Sequence, residues 1–202
     1  DVSASDALAV EQASHQIMSV VNAFAAAAEG SGASEADAFN AALNSIVEVV
    51  KTKVANLDDD DASASDKKLD LSNAADLALI KAQAIEEVAS IEGVTSETTT
   101  AFDALADDTA IAVENVNAKI EAITDTDLTL GASKNIFSTT QVLADQVKAA
   151  AVAELASPGL NESSKSPSDT FGLIDFTDGA KVVTSAANAM PSAINLSLSS
   201  IS

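Results

Sequence analysis

The chain is predicted to be mainly all-α: a bundle of about five antiparallel helices followed by a short C-terminal irregular or β segment. Three observations carry this. Apolar residues recur three and four apart through most of positions 1–157, the spacing that one helix face requires. Stop and start residues punctuate that pattern at helix-length intervals: Gly30-Ser31-Gly32 then Ser34, Gly93 then Ser96, and Pro158-Gly159. The apolar share of 47% is carried by Ala, with no Trp, no Tyr and six Phe. Small side chains let helices approach near the low end of the roughly 8–10 Å interaxial range. Each also buries less surface, so stability rests on the number and length of the helices.

The first two helices are expected as one hairpin, Asp6 to Leu57, folded around Gly30-Ser31-Gly32. In its first arm Leu8, Val10, Ala13, Ile17, Val20, Val21, Phe24 and Ala28 form the apolar stripe, with Glu11, His15, Gln16 and Asn22 mostly off it. Ser3 or Ser5 is suited to cap the start, and Gly30 to take the left-handed conformation just past the end. The second arm opens at Ser34 with Glu35 and Asp37 in the first turn, where carboxylates favour the positive end of the helix dipole. Its stripe is Phe39, Leu43, Ile46, Val47, Val50, Val54 and Leu57, and Lys51 and Lys53 lie near the favourable end for cations. So short a connection forces the two arms antiparallel.

A third helix is expected from Ser72 to Ile91, with Ala74, Leu77, Ile80, Ala84, Val88 and Ile91 inward, Ser72 as its cap and Gly93 as its stop. Ser96 opens a fourth, whose seam of Phe102, Leu105, Thr109, Val113, Val116, Ile120 and Ile123 alternates steps of three and four. Asp103, Asp107, Asp108, Glu114 and Glu121 lie largely on its other side. Adjacent carboxylates such as Asp107 and Asp108 point in different directions and describe a solvated face, not an acid/base couple. After Asp125-Thr126-Asp127 and Gly131 a fifth helix runs from Ser133 to Ala156 through Ile136, Phe137, Leu143, Val147, Ala150 and Leu155.

Residues 1–157 are therefore expected as the bundle and 158–202 as a linker, a short helix and a terminal strand. Asn161 to Thr170 has linker composition, Phe171 to Phe176 is a short apolar patch, and Gly179 to Met190 reads as a helix stopped by Pro191. In Ala193 to Ser202, Ile194, Leu196 and Leu198 alternate with Asn195, Ser197 and Ser199, the period of a half-buried strand. A lone strand needs a partner edge. The candidates are Phe171 to Phe176, the bundle, a following β domain, or a sheet in another subunit.

The charge balance is lopsided, with 31 acidic residues against 10 basic, every one of them Lys, and a net charge of −21. Phosphate contacts need clustered cations, so nucleic acid and anionic membranes are not expected partners. No apolar run approaches the roughly 18–20 residues of a membrane-spanning helix. So acidic a chain repels itself unless salt or divalent cations screen it. That suits salty water, the sea or a cell exterior, although a generally acidic lineage accounts for the composition as well. Without cysteine there is no disulfide, thiolate metal site or cysteine nucleophile. The opening Asp1-Val2-Ser3, with neither Met nor a basic segment, predicts a processed product or an excised domain.

One loop suggests chemistry. Between Asp58 and Lys68 (DDDDASASDKK) the residues are polar and acidic. Counted from Asp59, Asp61, Ser63 and Ser65 fall at alternate positions, and Asp70 stands twelfth, where an EF-hand places its bidentate acid. The calcium reading departs from that pattern at Ala64, where the sharp turn needs Gly, and in the shortness of Asp70. A solvated acidic loop is the other reading. Calcium is the one cofactor the sequence suggests. His15 is the single histidine, without the partners a metal site or a Ser-His-Asp triad needs, and no Gly-rich phosphate loop or aromatic platform occurs. Enzymatic activity is not expected.

The stretch DALAVEQASHQIMSVVNAFAAAAEGSGASEADAFNAALNSIVEVV, about a quarter of the chain, resembles the Ala-rich helical segments of very large secreted bacterial surface proteins. These are the calcium-dependent RTX or adhesin type exported by type I systems. The chain lacks their glycine-rich nonapeptide calcium repeats, and the resemblance carries over no functional residue. It implies an extracellular structural or adhesive module. The expected function is thus a non-enzymatic structural or assembly module of a bacterial surface protein, whether filament, surface layer or adhesin. Its partners are expected to be proteins, by self-association or through neighbouring domains, with Ile194, Leu196 and Leu198 in the contact. The alternative is a helical module that binds calcium or a small ligand.

Overall fold

The computed structural model describes residues 4–57, 63, 65, 67–124, 132–156 and 158. Five helices account for nearly all of them: α1 (Ala4–Gly30), α2 (Glu35–Ala55), α3 (Ala74–Ser90), α4 (Ser96–Glu121) and α5 (Ala132–Ala156). No strand occurs among the described residues. The fold is all-α, as the spacing predicts. The expected linker, short helix and terminal strand after Gly159 lie outside the described residues.

Each start that can be inspected has a chemical cause. Ser34 caps α2, its hydroxyl oxygen accepting from the Asp37 N–H at 3.2 Å. Thr95 caps α4 by accepting from the Thr98 N–H at 3.3 Å. The cap of α3 is Asn73, one residue later than expected, because its Oδ1 accepts from the Ala75 N–H at 2.8 Å. The Ser72 hydroxyl faces carboxylates instead. Each cap satisfies a backbone donor that the helix leaves without a partner.

The α1 to α2 turn also corrects an expectation. Gly30 stays helical as the last residue of α1, and the left-handed residue is Gly32, with φ of 111°. The Ala33 N–H donates to the Ala28 carbonyl and the Gly32 N–H to the Glu29 carbonyl, both at 3.0 Å. This pair of bonds is a Schellman ending, and it needs positive φ one residue past the cap.

The four helices α1 to α4 form a ring in which each packs on the next and α4 closes back on α1, while α5 lies against both α1 and α4. Cross-helix bonds fix the directions. Gln16 reaches the Asn117 carbonyl, Asn44 meets Glu87, and Lys81 meets Asp107, so α1 and α4, α2 and α3, and α3 and α4 run antiparallel. Glu29 near the end of α1 pairs with Lys148 near the end of α5, which makes α1 and α5 parallel. The seam expected for α4 is buried throughout, from Phe102 to Ile123, with the Phe102 ring 6.4 Å from that of Phe24.

The second half of α1 is the packing centre. Val20, Val21, Ala23, Phe24, Ala26, Ala27 and Ala28 are all buried, because this segment has α2, α4 and α5 on three sides. Its first half departs from the expected stripe. Val10 is 65% exposed and Ile17 39%, while Gln12 and Gln16 turn toward α4. The Gln12 amide donates to the Glu121 and Ile123 carbonyls at 2.9 Å and reaches that of Ile120 at 3.3 Å. The last carbonyls of a helix have no partner of their own, and an amide there is worth more than another methyl group.

Gly30 is where α1 and α5 come closest. A methyl group added there would stand 2.7 Å from the Ala151 Cβ and nearer still to the Lys148 carbonyl oxygen. Replacing a helical Gly by Ala ordinarily stabilises by about 1 kcal/mol. Here the neighbour is backbone that cannot step aside, and forced overpacking costs about 1–3 kcal/mol. Gly30→Ala is therefore expected to lower Tm by a few degrees, at about 2–4 °C per kcal/mol for a chain of this size. A thermal melt followed by circular dichroism checks it, and a rise in Tm would show that the two helices separate freely.

Candidate interaction surface

The helix α2 is apolar on two sides, and the bundle uses the side with the smaller residues. Ala38, Ala41, Ala42, Ser45, Ile46, Val49 and Lys53 are buried against α1 and α3. Of the stripe expected to pack inward, only Ile46 does. Phe39, Leu43, Val47, Val50, Val54 and Leu57 are 40–57% exposed. This is the largest correction to the sequence reading. Small side chains let α2 lie close to the Ala-rich α1, and one buried polar group fixes its rotation.

That group is Lys53. Its ammonium donates at 2.6 Å to both Asp76 Oδ1 on α3 and the Ser65 carbonyl. The Lys53 and Asp76 side chains are each only 9% exposed. The second Asp76 oxygen accepts from the Asp70 N–H at 2.7 Å. A buried charge is tolerated only when it is paired and hydrogen-bonded, and the buried Asp76 carboxylate gains its cation only with Lys53 turned inward. Lys53 follows Ile46 and Val49 at helical spacing on the buried side, so the same rotation sends the bulky stripe outward.

Of the residues singled out for calcium, Asp59 and Asp61 lie outside the described residues. Ser63 pairs with Ser65, hydroxyl to hydroxyl, at 2.7 Å. The Asp70 carboxylate accepts from the Ser72 N–H at 3.0 Å and lies 2.7 Å from the Ser72 hydroxyl. That hydroxyl also lies 2.6 Å from Glu121 Oε2 on α4, and its one proton serves one carboxylate at a time. The Asn117 amide completes this end of the bundle by donating to the Leu71 carbonyl at 2.8 Å. The Ser72 hydroxyl holds the Asp70 carboxyl below the usual carboxylate range, opposed by partial burial and helped by the Ser72 N–H and by Lys68. Among the described residues no group of three or more metal-ligating side chains gathers. Ile194, Leu196 and Leu198, singled out for assembly, lie outside the described residues.

His15 stands 3.7 Å from Glu11, one turn back on α1. A groove of about 670 Å³ runs between α2 and α5 with α1 as its floor, lined by Asn22, Ala25, Ala26, Glu29, Phe39 and Lys148 among others. The Glu29–Lys148 ion pair spans it from α1 to α5 at 2.5 Å. Charge is unevenly spread over the helices. α4 carries six carboxylates against one lysine, and α2 carries three against two. None of the described helices is long and apolar enough to cross a membrane.

No family model matches the chain, and no significant match to a curated protein or a solved structure was found.

Two consequences are measurable. Lys53→Met leaves the Asp76 carboxylate buried without its cation, and breaking a buried pair in this way costs about 3–5 kcal/mol. The urea midpoint should fall accordingly, and a loss under about 1 kcal/mol would mean that the pair behaves as a surface one. The second concerns acid. A carboxylate whose folded pKa is lowered adds stability above its ordinary value of about 3.9, and that increment disappears as pH falls through the folded value. Ser72→Ala should bring the Asp70 titration, read by NMR, back up toward the ordinary range. It should narrow the stability difference between neutral and strongly acid solution through that group, and an unmoved titration would assign the shift elsewhere.

Proposed function

We propose that this chain is a non-enzymatic structural module of a bacterial extracellular protein, such as a filament, a surface layer or an adhesin, and that it works through protein contacts. The observation that carries the reading is the outer face of α2. Six bulky apolar side chains from Phe39 to Leu57 stand 40–57% exposed while smaller ones fill the bundle side. Water-facing apolar surface of this extent marks a contact site. The acidity of the chain favours the same reading, because a net charge of −21 keeps copies soluble and confines association to faces where charge is low. It also suits a saline exterior, where salt screens the self-repulsion.

A second contact is assigned to the chain end. Ile194, Leu196 and Leu198 alternate with polar residues, the sequence pattern of a half-buried strand, and a strand of this pattern can add to the sheet edge of a partner. One lateral face and one terminal contact are what a filament or a layer requires. The full 202-residue chain and a version lacking Ala193–Ser202 should differ in mass by light scattering, the longer one forming larger species at marine salt. Equal oligomer size for both would remove the terminal contact.

A further inference from the structure

We propose that the outer face of α2 binds the same face of a second copy of this chain, with the two helices antiparallel about a two-fold axis at Asn44. This rests on the assembly reading above and names the surface that would carry it.

The spacing is the first argument. Leu43, Val47, Val50, Val54 and Leu57 follow one another in steps of four, three, four and three, the seam of a two-stranded helical coil. All are at least 40% exposed, and among the described residues α1 and α3 pack on the opposite side of α2. Α seam of this kind is self-complementary, since a two-fold axis brings one patch against itself.

Charge selects the direction. Asp37 follows Ala36 and Lys51 follows Val50, so both sit on the same flank of the seam, two heptads apart, and both are exposed. Asn44 lies midway between them on that flank and is also exposed. In an antiparallel pair like flanks meet in reverse order. Asp37 of each copy then lies beside Lys51 of the other, Asn44 faces Asn44, and Leu43 packs on Val47. A parallel pair would instead set this flank against the opposite flank of the partner, which offers Lys51 no carboxylate. Within one chain Lys51 is held at 2.5 Å by Glu48 and is 64% exposed at its side chain, so it remains free to serve a second carboxylate.

Charge also argues for this face over that of α4. The acidic helix α4, with six carboxylates against one lysine, lies diagonally across the ring from α2. Pairing through α2 therefore places the two most negative faces on the outside of the dimer, beyond the roughly 8–10 Å over which salt screens them. A pair of helices this short buries less than the roughly 800 Å² per partner of a standard interface. The expected association is weak for one pair and cumulative along an assembly.

The test uses the full chain in near-physiological salt. Sedimentation equilibrium over a wide concentration range should show reversible association whose first step is a dimer. Val47→Glu should abolish the dimer without loss of helical signal, because that side chain is already 41% exposed. Asp37→Lys should weaken it about tenfold, and adding Lys51→Asp should restore it, which separates an ion pair from damage to the helix start. The chain has no cysteine, so Asn44→Cys reports the axis directly: oxidation should give a disulfide dimer, and Asp103→Cys on α4 should not. A chain monomeric at every concentration, a dimer indifferent to Val47→Glu, or no cross-link at position 44 would each overturn the proposal. The terminal contact stands apart, since its loss follows deletion of Ala193–Ser202 and leaves the Asn44→Cys cross-link in place.

Discussion

The structure depends on how closely three helices approach the second half of α1. From Ala23 to Gly30 that segment is buried almost all round, and its side chains are mostly methyl groups. At Gly30 even a methyl group is too much, because the α5 backbone at Lys148 lies where it would go. Small residues bury little area each, but they place whole helices within reach of one another, and dispersion then accumulates over many contacts. Around this seam bulky residues act as local fillers: Phe24 and Phe102 meet ring to ring, and Val113, Val116 and Ile120 complete the α4 face.

The same economy of volume decides what α2 does. Its small side, Ala38 to Val49, fits the narrow space beside α1, and its bulky side would hold the helices apart. Lys53 then removes any freedom of rotation, since only one orientation gives its ammonium both Asp76 and the Ser65 carbonyl. A buried pair of this kind is weak evidence for stability, because desolvating two charges offsets much of their attraction. Its stronger effect here is on arrangement. With the pair formed, the large apolar groups of α2 have nowhere to go but the surface, and the exposed apolar stripe is a direct result of an internal polar contact.

How far the sequence discloses this varies with how polar the unused face of each helix is. In α4 one side is carboxylate and the other aliphatic, so the buried seam from Phe102 to Ile123 could be read off directly. α3 behaves similarly, with Leu77, Ile80, Ala84 and Val88 buried as their spacing implies. In α2 both sides are apolar, and choosing the bulkier one led to the wrong face. The inward position of Lys53 was the available signal, since it follows Ile46 and Val49 at helical spacing. The first half of α1 was illegible for another reason: Gln12 and Gln16 are drawn inward by carbonyls of α4 about a hundred residues away, and no local pattern records that demand. The calcium candidates among the described residues are already engaged, the Asp70 carboxylate by Ser72 and the Ser63 hydroxyl by Ser65.

The charge distribution gives the apolar face its meaning. A uniformly acidic surface would keep copies apart in every orientation, whereas this one is graded. α4 is strongly negative, whereas one flank of α2 carries Asp37 and Lys51 of opposite sign. Repulsion between acidic faces acts over a Debye length, and apolar contact acts only at touching distance. In the pairing proposed above, an approaching copy therefore meets stronger repulsion on the α4 side than on the α2 side. In the proposed dimer the acidity of α4 thus acts alongside the apolar stripe of α2, by penalising orientations that bring two α4 faces together.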